Sequence, residues 1–281
     1  MELTLGVTFA VLGAGMLHAG WNALLKSAGG GDSLLDTATV VAGSTVCSLV
    51  ALPFFPPPLA GAWPFVAASG VIHFGYYLTL AQAYRTGDLS FAYPLMRGTA
   101  PLIVTVLGAI FLRELPSAHV FAGILLISVG IIGIAFAQRE RHPPAAAWWA
   151  FANAGIIGVY TLVDGAGARA SGSAFGYVLY LTVIEGIVFL AWIHWRRGGA
   201  AVAYVRNQWR RGLVGGFCSV AAYGIVLWAM TRAPVAAVSA LRETSVIFAA
   251  LIGALWLKEG FGLARLAGAA TVVVGVATLK L

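Results

Sequence analysis

Two arginines stand where arginine is expensive. Arg97 and Arg242 each lie inside an apolar run long enough to cross a bilayer, and a charged side chain at that depth marks a function by default. Arginine stays protonated at any useful pH, and its planar fork suits paired carboxylate or phosphate oxygens. The chemistry this allows is reversible capture of an anion or zwitterion. The competing account is an internal ion pair, for which Glu243, Glu185 and Asp164 are the available acids. Tyr93, Arg97, Pro101 and Thr105 share one helix face at four-residue spacing. Ser239, Arg242 and Ser245 or Val246 lead a narrower stripe of small residues.

Other polar side chains recur at helical spacing in apolar surroundings. His18, Trp21 and Asn22 fall on one face; they line a site or serve as hydrogen-bonding glue between helices. His73, Tyr76, Tyr77 and Tyr84 follow in another run. Histidine as a residue type changes charge near neutrality, which makes His73 a candidate proton relay, whereas Tyr84 at the end of its helix reads as interfacial belt. Asn153, Ile157, Tyr160 and Asp164 share a face, with Asp164 at a helix end, where capping or pairing with Arg169 is the plainer role. Glu185 lies mid-helix, either neutralising an arginine or carrying a proton. Glu114 and Glu259 each end a helix beside a basic residue and read as local structural pairs.

No Gly-rich phosphate loop, nucleophile–base pair or metal-ligand spacing stands out, so enzyme chemistry, metal and cofactor are not implied. Cys47 and Cys218 sit mid-run and read as buried free thiols. Of 281 residues, 60% are hydrophobic and only 10% charged, against about 25% charged in soluble domains. With a bilayer core needing roughly 20 apolar residues per helix, the length allows about ten spans. The net charge of +7 reads as loop arginines facing anionic lipid, not as a nucleic-acid surface. The first apolar run lacks a basic leader segment and is read as a retained helix.

These candidates are positioned by a duplicated unit. Ala92–Glu114 and Ala237–Glu259 align without a gap at an offset of 145. Arg97 falls on Arg242, Thr99 on Thr244, Gly108 on Gly253 and Glu114 on Glu259, and beyond them Gly123 meets Gly268 and Gly130 meets Gly275. A shared register over so many positions indicates duplication. Spans are expected at about 3–25, 34–55, 63–84, 90–112 and 118–137, ended by devices such as Pro56–Pro58. Residues 138–145 form a charged, Pro-containing linker. The second set is expected at about 146–163, broken by the glycine-rich stretch 164–172, then 174–195, 212–230, 234–257 and 262–279, with a basic loop at 196–211.

The fold expected is an all-α integral membrane protein of ten transmembrane helices, residues 1–137 forming one repeat and 146–281 the other. An odd number of spans per repeat inverts the second copy, which brings Arg97 and Arg242 to a midplane site from opposite sides. Apart from those two arginines, the basic residues crowd one side, leaving Arg113, Arg169, Arg232 and Lys280 on the other. The positive-inside rule then puts both termini outside and the basic loop in the cytoplasm.

The duplicated unit, the helix ends Phe111–Glu114 and Trp256–Glu259, and Trp21-Asn22 followed by Lys26 resemble the drug/metabolite transporter superfamily, and within it the EamA-like ten-helix proteins. The resemblance covers nearly the whole chain. It implies a secondary transporter of small metabolites in a cell membrane such as the bacterial inner membrane, as monomer or homodimer, with both termini usually drawn cytoplasmic. Read together, the residues lead to a small polar solute, anionic or zwitterionic, as substrate. Arg97, Arg242, His18, Trp21, Asn22, His73, Tyr77, Tyr93, Tyr160 and Ser239 are the expected binding residues. Glu185, Asp164 and Glu243 compensate charge or couple movement to protons. A flippase of a lipid-linked headgroup and a non-transporting scaffold are the competing classes, and membrane lipid is the surrounding partner in each.

Overall fold

A backbone in lipid has no water to satisfy it, and a helix satisfies it within one segment. The computed structural model describes residues 3–26, 32–87, 89–136, 143–248, 251 and 262–280. Its helices are α1 Leu5–Lys26, α2 Ser33–Ala51, α3 Trp63–Thr86, α4 Leu89–Leu107, α5 Ala118–Phe136, α6 Pro144–Ala170 and α7 Ala174–Arg197. A short α8, Gly199–Asn207, precedes α9 Trp209–Met230, α10 Val235–Arg242 and α11 Leu263–Thr278. No strand occurs among the described residues. Among the described residues, seven helices, α2 to α7 and α9, are long and apolar enough to span a membrane, and α1 and α11 are shorter apolar helices. Large apolar side chains such as Phe9 (69% exposed), Val71 (77%) and Phe217 (61%) point outward. Such a surface is paired with lipid, not with water.

Local chemistry explains most ends. Asp32 caps α2 by accepting from Leu34 N at 3.0 Å. Leu52–Phe54 forms one 3-10 turn before the prolines stop the chain. Residues Gly108–Leu112 continue α4 as a π turn, closed by Arg113 in the left-handed region at φ 56°. The expected basic loop is instead the last turn of α7 followed by α8, which Tyr204 fastens to α2 by donating to Asp36 at 2.7 Å. Both cysteines are free but only partly buried, because the helices carrying them meet lipid on that side.

The glycine-rich stretch after Asp164 does not break its helix, and α6 runs on to Ala170. Its glycines are contact points. A Cβ at Gly165 would lie 2.9 Å from Val235, and one at Gly167 would lie 2.5 Å from the Tyr177 ring. The same logic joins α2 to α9, where a Cβ at Gly43 would fall 1.8 Å from the Gly212 carbonyl oxygen. Gly108, expected at such a contact, has only Leu162 Cδ1 at 3.9 Å because its π turn faces open packing. Gly253, Lys258 and Glu259 lie outside the described residues.

Helices α5 and α11 cross through four glycines. Gly123 would strike the Gly275 carbonyl and Gly130 that of Gly268, each at 2.8 Å, and both contacts are returned from the other side. The pairing order makes the two helices antiparallel. Elsewhere α6 packs on α3 and α4, and α9 packs on α1 and α2, leaving the centre to the faces these helices share.

Candidate functional site

Both arginines sit where their helices are weakest. In α4, Pro94 and Pro101 flank Arg97; proline has no N–H, so Pro101 leaves the Arg97 carbonyl without its usual helical donor. In the second copy, α10 ends at Arg242 itself. The chain turns through Glu243 and Thr244 on short-range bonds, Glu243 N to Ala240 O and Val246 N to Glu243 O, both 3.0 Å, before a further helical turn at 245–248. A continuous helix to Leu257 was expected. The break arises because α1 crosses at this point: a Cβ at Gly15 would lie 3.2 Å from Thr244 Oγ1.

The turn places Glu243 between the two guanidinium groups. Its Oε2 lies 2.5 Å from Arg97 Nε, and its Oε1 lies 3.3 Å from Arg242 Nη2 and 3.4 Å from Arg242 Nε. Glu243 is fully buried, and the arginines are 6% and 5% exposed. One carboxylate thus serves two cations, leaving a net positive charge. The Nη2 of Arg97 has no hydrogen-bond partner. Tyr93 lies under the same guanidinium, 5.8 Å from ring centroid to Arg97 Cζ.

These groups face a cavity of about 330 Å³ at the centre of the bundle. It is lined by His18, His73, Tyr77, Tyr93, Arg97, Tyr160, Glu185 and Arg242, and also by Tyr76, Tyr84, Asn153, Thr182, Tyr223 and Asp36. It reaches toward the face where α2 begins and α3 ends, marked by Asp36, Thr37 and Tyr84. One wall is aromatic: His73 stacks on Tyr160 with centroids 4.3 Å apart, and Tyr76 meets Tyr160 edge-on at 5.7 Å. Asn153 secures that wall, its Nδ2 donating to Thr79 Oγ1 at 2.8 Å and Tyr76 O at 3.1 Å.

A second polar group at the cavity is an acid–imidazole cluster. His73 Nδ1 lies 3.0 Å from Ser69 Oγ, 3.1 Å from the Ser69 carbonyl and 3.5 Å from Glu185 Oε2. Asp164, fully buried, accepts from the Tyr177 hydroxyl at 2.8 Å and from the Tyr223 hydroxyl through a shorter contact.

The far face of the bundle is laced shut. Arg169 pairs with Glu114 at 2.6 Å and donates to the Met230 and Ala233 carbonyls at 2.8 and 3.2 Å. Glu114 accepts in turn from Val235 N at 2.9 Å, capping α10, whose preceding Pro234 has no capping side chain. The ends of α4, α6, α9 and α10 are tied by this one ion pair. Glu114 therefore does not pair with its neighbour Arg113, and Arg169 does not serve Asp164. Packing of α6 against α4 decides both.

Of the expected binding residues, His18, His73, Tyr77, Tyr93, Tyr160, Arg97 and Arg242 line one cavity. Ser239 does not: every residue of α10 is buried, so its helical face could not distinguish cavity from packing. The side chains of Trp21 and Asn22, and Lys26 with them, lie outside the described residues. Asp164 and Glu243 stand behind the lining, while Glu185 is part of it. Tyr84 lines the cavity instead of forming an interfacial belt. Tyr223, Asp36 and Thr182 were not singled out from sequence. Ser219 and Tyr223, four apart in an apolar run, were the available signal for α9.

The family model described as the EamA-like transporter family matches twice, over residues 4–136 and 144–281. Among solved structures, one crystal structure superposes with a TM-score of 0.75 over 98% of this chain and 97% of its own, at 20% identity. That likeness concerns the fold alone. None of the curated proteins compared matches the chain. A bundle jacketed in apolar side chains, carrying a central polar cavity and matched in both halves by one model, belongs to the EamA-like transporter family.

Proposed function

We propose that this chain is a ten-span secondary transporter of two inverted five-helix repeats, which exports or exchanges a small anionic or zwitterionic metabolite by alternating access. The observation that carries this reading is the Arg97 Nη2, buried in the wall of the cavity with no partner from the protein. A buried donor on a cation costs free energy until something accepts from it, and a carboxylate or phosphorus oxyanion of a solute is suited to do so. The surplus positive charge of the Arg97–Glu243–Arg242 group favours the same class. His73, Tyr76 and Tyr160 supply the opposite wall, against which the body of the solute would rest. The antiparallel crossing of α5 and α11 supports the inverted arrangement, and the equivalent arginines of the two halves meet at one carboxylate. The broken α10 at the midplane is of the kind transporters use at their sites. Nothing in the cavity lining favours the flippase of a lipid headgroup.

The cavity reaches one face while Glu114 and Arg169 hold the other, which is one end state of an alternating cycle. The reading places the protein in a cell membrane as a multi-pass protein, the bacterial inner membrane being the setting we assign. The test begins with a thermal-shift screen of the purified protein against a metabolite library. The best anionic or zwitterionic hit is then followed in proteoliposomes. Arg97→Gln and Arg242→Gln are each expected to abolish its uptake, and Arg242→Gln to leave a folded protein. Normal uptake by both variants, or a lipophilic cation as the best ligand, would remove the assignment.

A further inference from the structure

Carboxylates outnumber arginines deep in the bundle. The cations are Arg97 and Arg242; the carboxylates are Glu243 and Asp164, buried behind the lining, and Glu185 in the lining with 13% of its side chain exposed. With Asp36 at the open face left to solvent, two positive charges against three negative leave one negative charge uncancelled. At membrane depth an unbalanced charge is costly, and one added proton removes the imbalance. Glu243 is committed to both arginines at close range, so the place for the proton is the other group of acids.

We propose that Asp164, His73 and Glu185 form a binding site for one exchangeable proton, reached from the cavity. The geometry supplies each requirement. His73 and Glu185 both line the cavity, so water there has access to them. The Nδ1 of His73 faces three oxygens, the Ser69 carbonyl and hydroxyl and Glu185 Oε2. A carbonyl only accepts, so Nδ1 carries hydrogen, and the free choice is at the other ring nitrogen. Protonation there makes an imidazolium stacked on Tyr160 at 4.3 Å, a favourable seat for a cation. Glu185 Oε2 has no hydrogen-bond partner and is free to receive the proton in exchange.

Asp164 is the fixed charge of the group. The hydroxyls of Tyr177 on α7 and Tyr223 on α9 both donate to it, and Ser69 on α3 reaches it from the imidazole side. Tyr77 on α3 stands beside Glu185 on α7. Around the cavity stand also the arginines of α4 and α10, Asp36 on α2 at the open face and His18 on α1. Proton transfer moves one hydrogen nucleus between cavity water, Glu185 and His73, with no other bond made or broken. Metal capture is disfavoured, since among the described residues no three His, Cys, Asp or Glu side chains converge as ligands.

Only the consequence rests on the transport reading: a solute anion entering beside the arginines would be taken up together with this proton. The test needs no solute. Whole protein in lipid vesicles is titrated between alkaline and acidic buffer, with infrared difference spectra as the readout. The wild-type spectrum should contain an imidazole band and the carbonyl stretch of a protonated carboxylic acid. His73→Gln should lose the first, and Glu185→Gln should lose or displace the second. Asp164→Asn should displace the imidazole band; should that variant fail to fold, the other two carry the test. A wild-type spectrum without either band, or bands unchanged in His73→Gln and Glu185→Gln, overturns the proposal. Loss of the anion assignment leaves these spectra unaffected, so the two failures are distinguishable.

Discussion

Glu243 has greater consequence for the folded protein than either arginine it touches. Among the described residues it is the one acid within ion-pair distance of both, and it is fully buried. Glu243→Gln would leave two guanidinium groups facing each other in low dielectric. Removing one partner from a buried pair costs about 3–5 kcal/mol, and a loss of that order should appear as a sharply lowered unfolding midpoint in detergent. Arg242→Gln still leaves Arg97 opposite Glu243 and should unfold closer to wild type; a smaller loss for Glu243→Gln than for Arg242→Gln would disprove the shared-acid arrangement. The arginines were legible in sequence because a charge in an apolar run stands out whatever the fold. Their partner was named but could not be chosen over Glu185 and Asp164, since the choice depends on a helix break. Tyr223 stayed hidden for another reason: one tyrosine in an apolar helix has no signature until the opposite helix brings Asp164 to it.

At the scale of elements, hydropathy located the helices well and their interruptions poorly. Run length and proline stops mark α2 through α5 because both act locally. The continuity of α6 past Asp164 and the break in α10 are tertiary effects, set by the neighbours that glycines admit. Gly165 and Gly167 are read from sequence as breakers, yet they are where Val235 and Tyr177 come close. The matching prediction contrasts two glycines on α5. A Cβ at Gly130 would lie 2.8 Å from the Gly268 carbonyl oxygen, while one at Gly133, which is exposed, would meet nothing within 4 Å. Gly130→Leu is expected to destabilise by about 1–3 kcal/mol or more through overpacking. Gly133→Leu should stay within about 0.5 kcal/mol of wild type. Equal folded yields from the two variants would show that α5 and α11 do not cross there.

At the scale of the molecule, what remains open to direct measurement is which face meets the cytoplasm. The cavity reaches the side that carries Arg196, Arg197, Arg206, Arg210 and Arg211, and basic loops are retained inside. A reporter fused after the C-terminus is expected to be active outside the cytoplasm, and one inserted in α8 active inside. The reverse pattern would turn the cavity outward and leave the cavity and its residues unchanged.

The reciprocal glycine crossing of α5 and α11 has a consequence for how the two halves of the sequence can diverge. Gly123 meets Gly275 and Gly130 meets Gly268, and the duplication register equates Gly123 with Gly268 and Gly130 with Gly275. Each contact is therefore the image of the other under the exchange of halves, which is the property of a homodimer interface here enclosed in one chain. A side chain gained at any of the four positions collides with a glycine of the other half that descends from the second ancestral position of the pair. The halves are held to a common text along this stripe. Elsewhere, as where Gly98 of one half stands in the same register against Glu243 of the other, no such mutual constraint operates, and the copies have diverged.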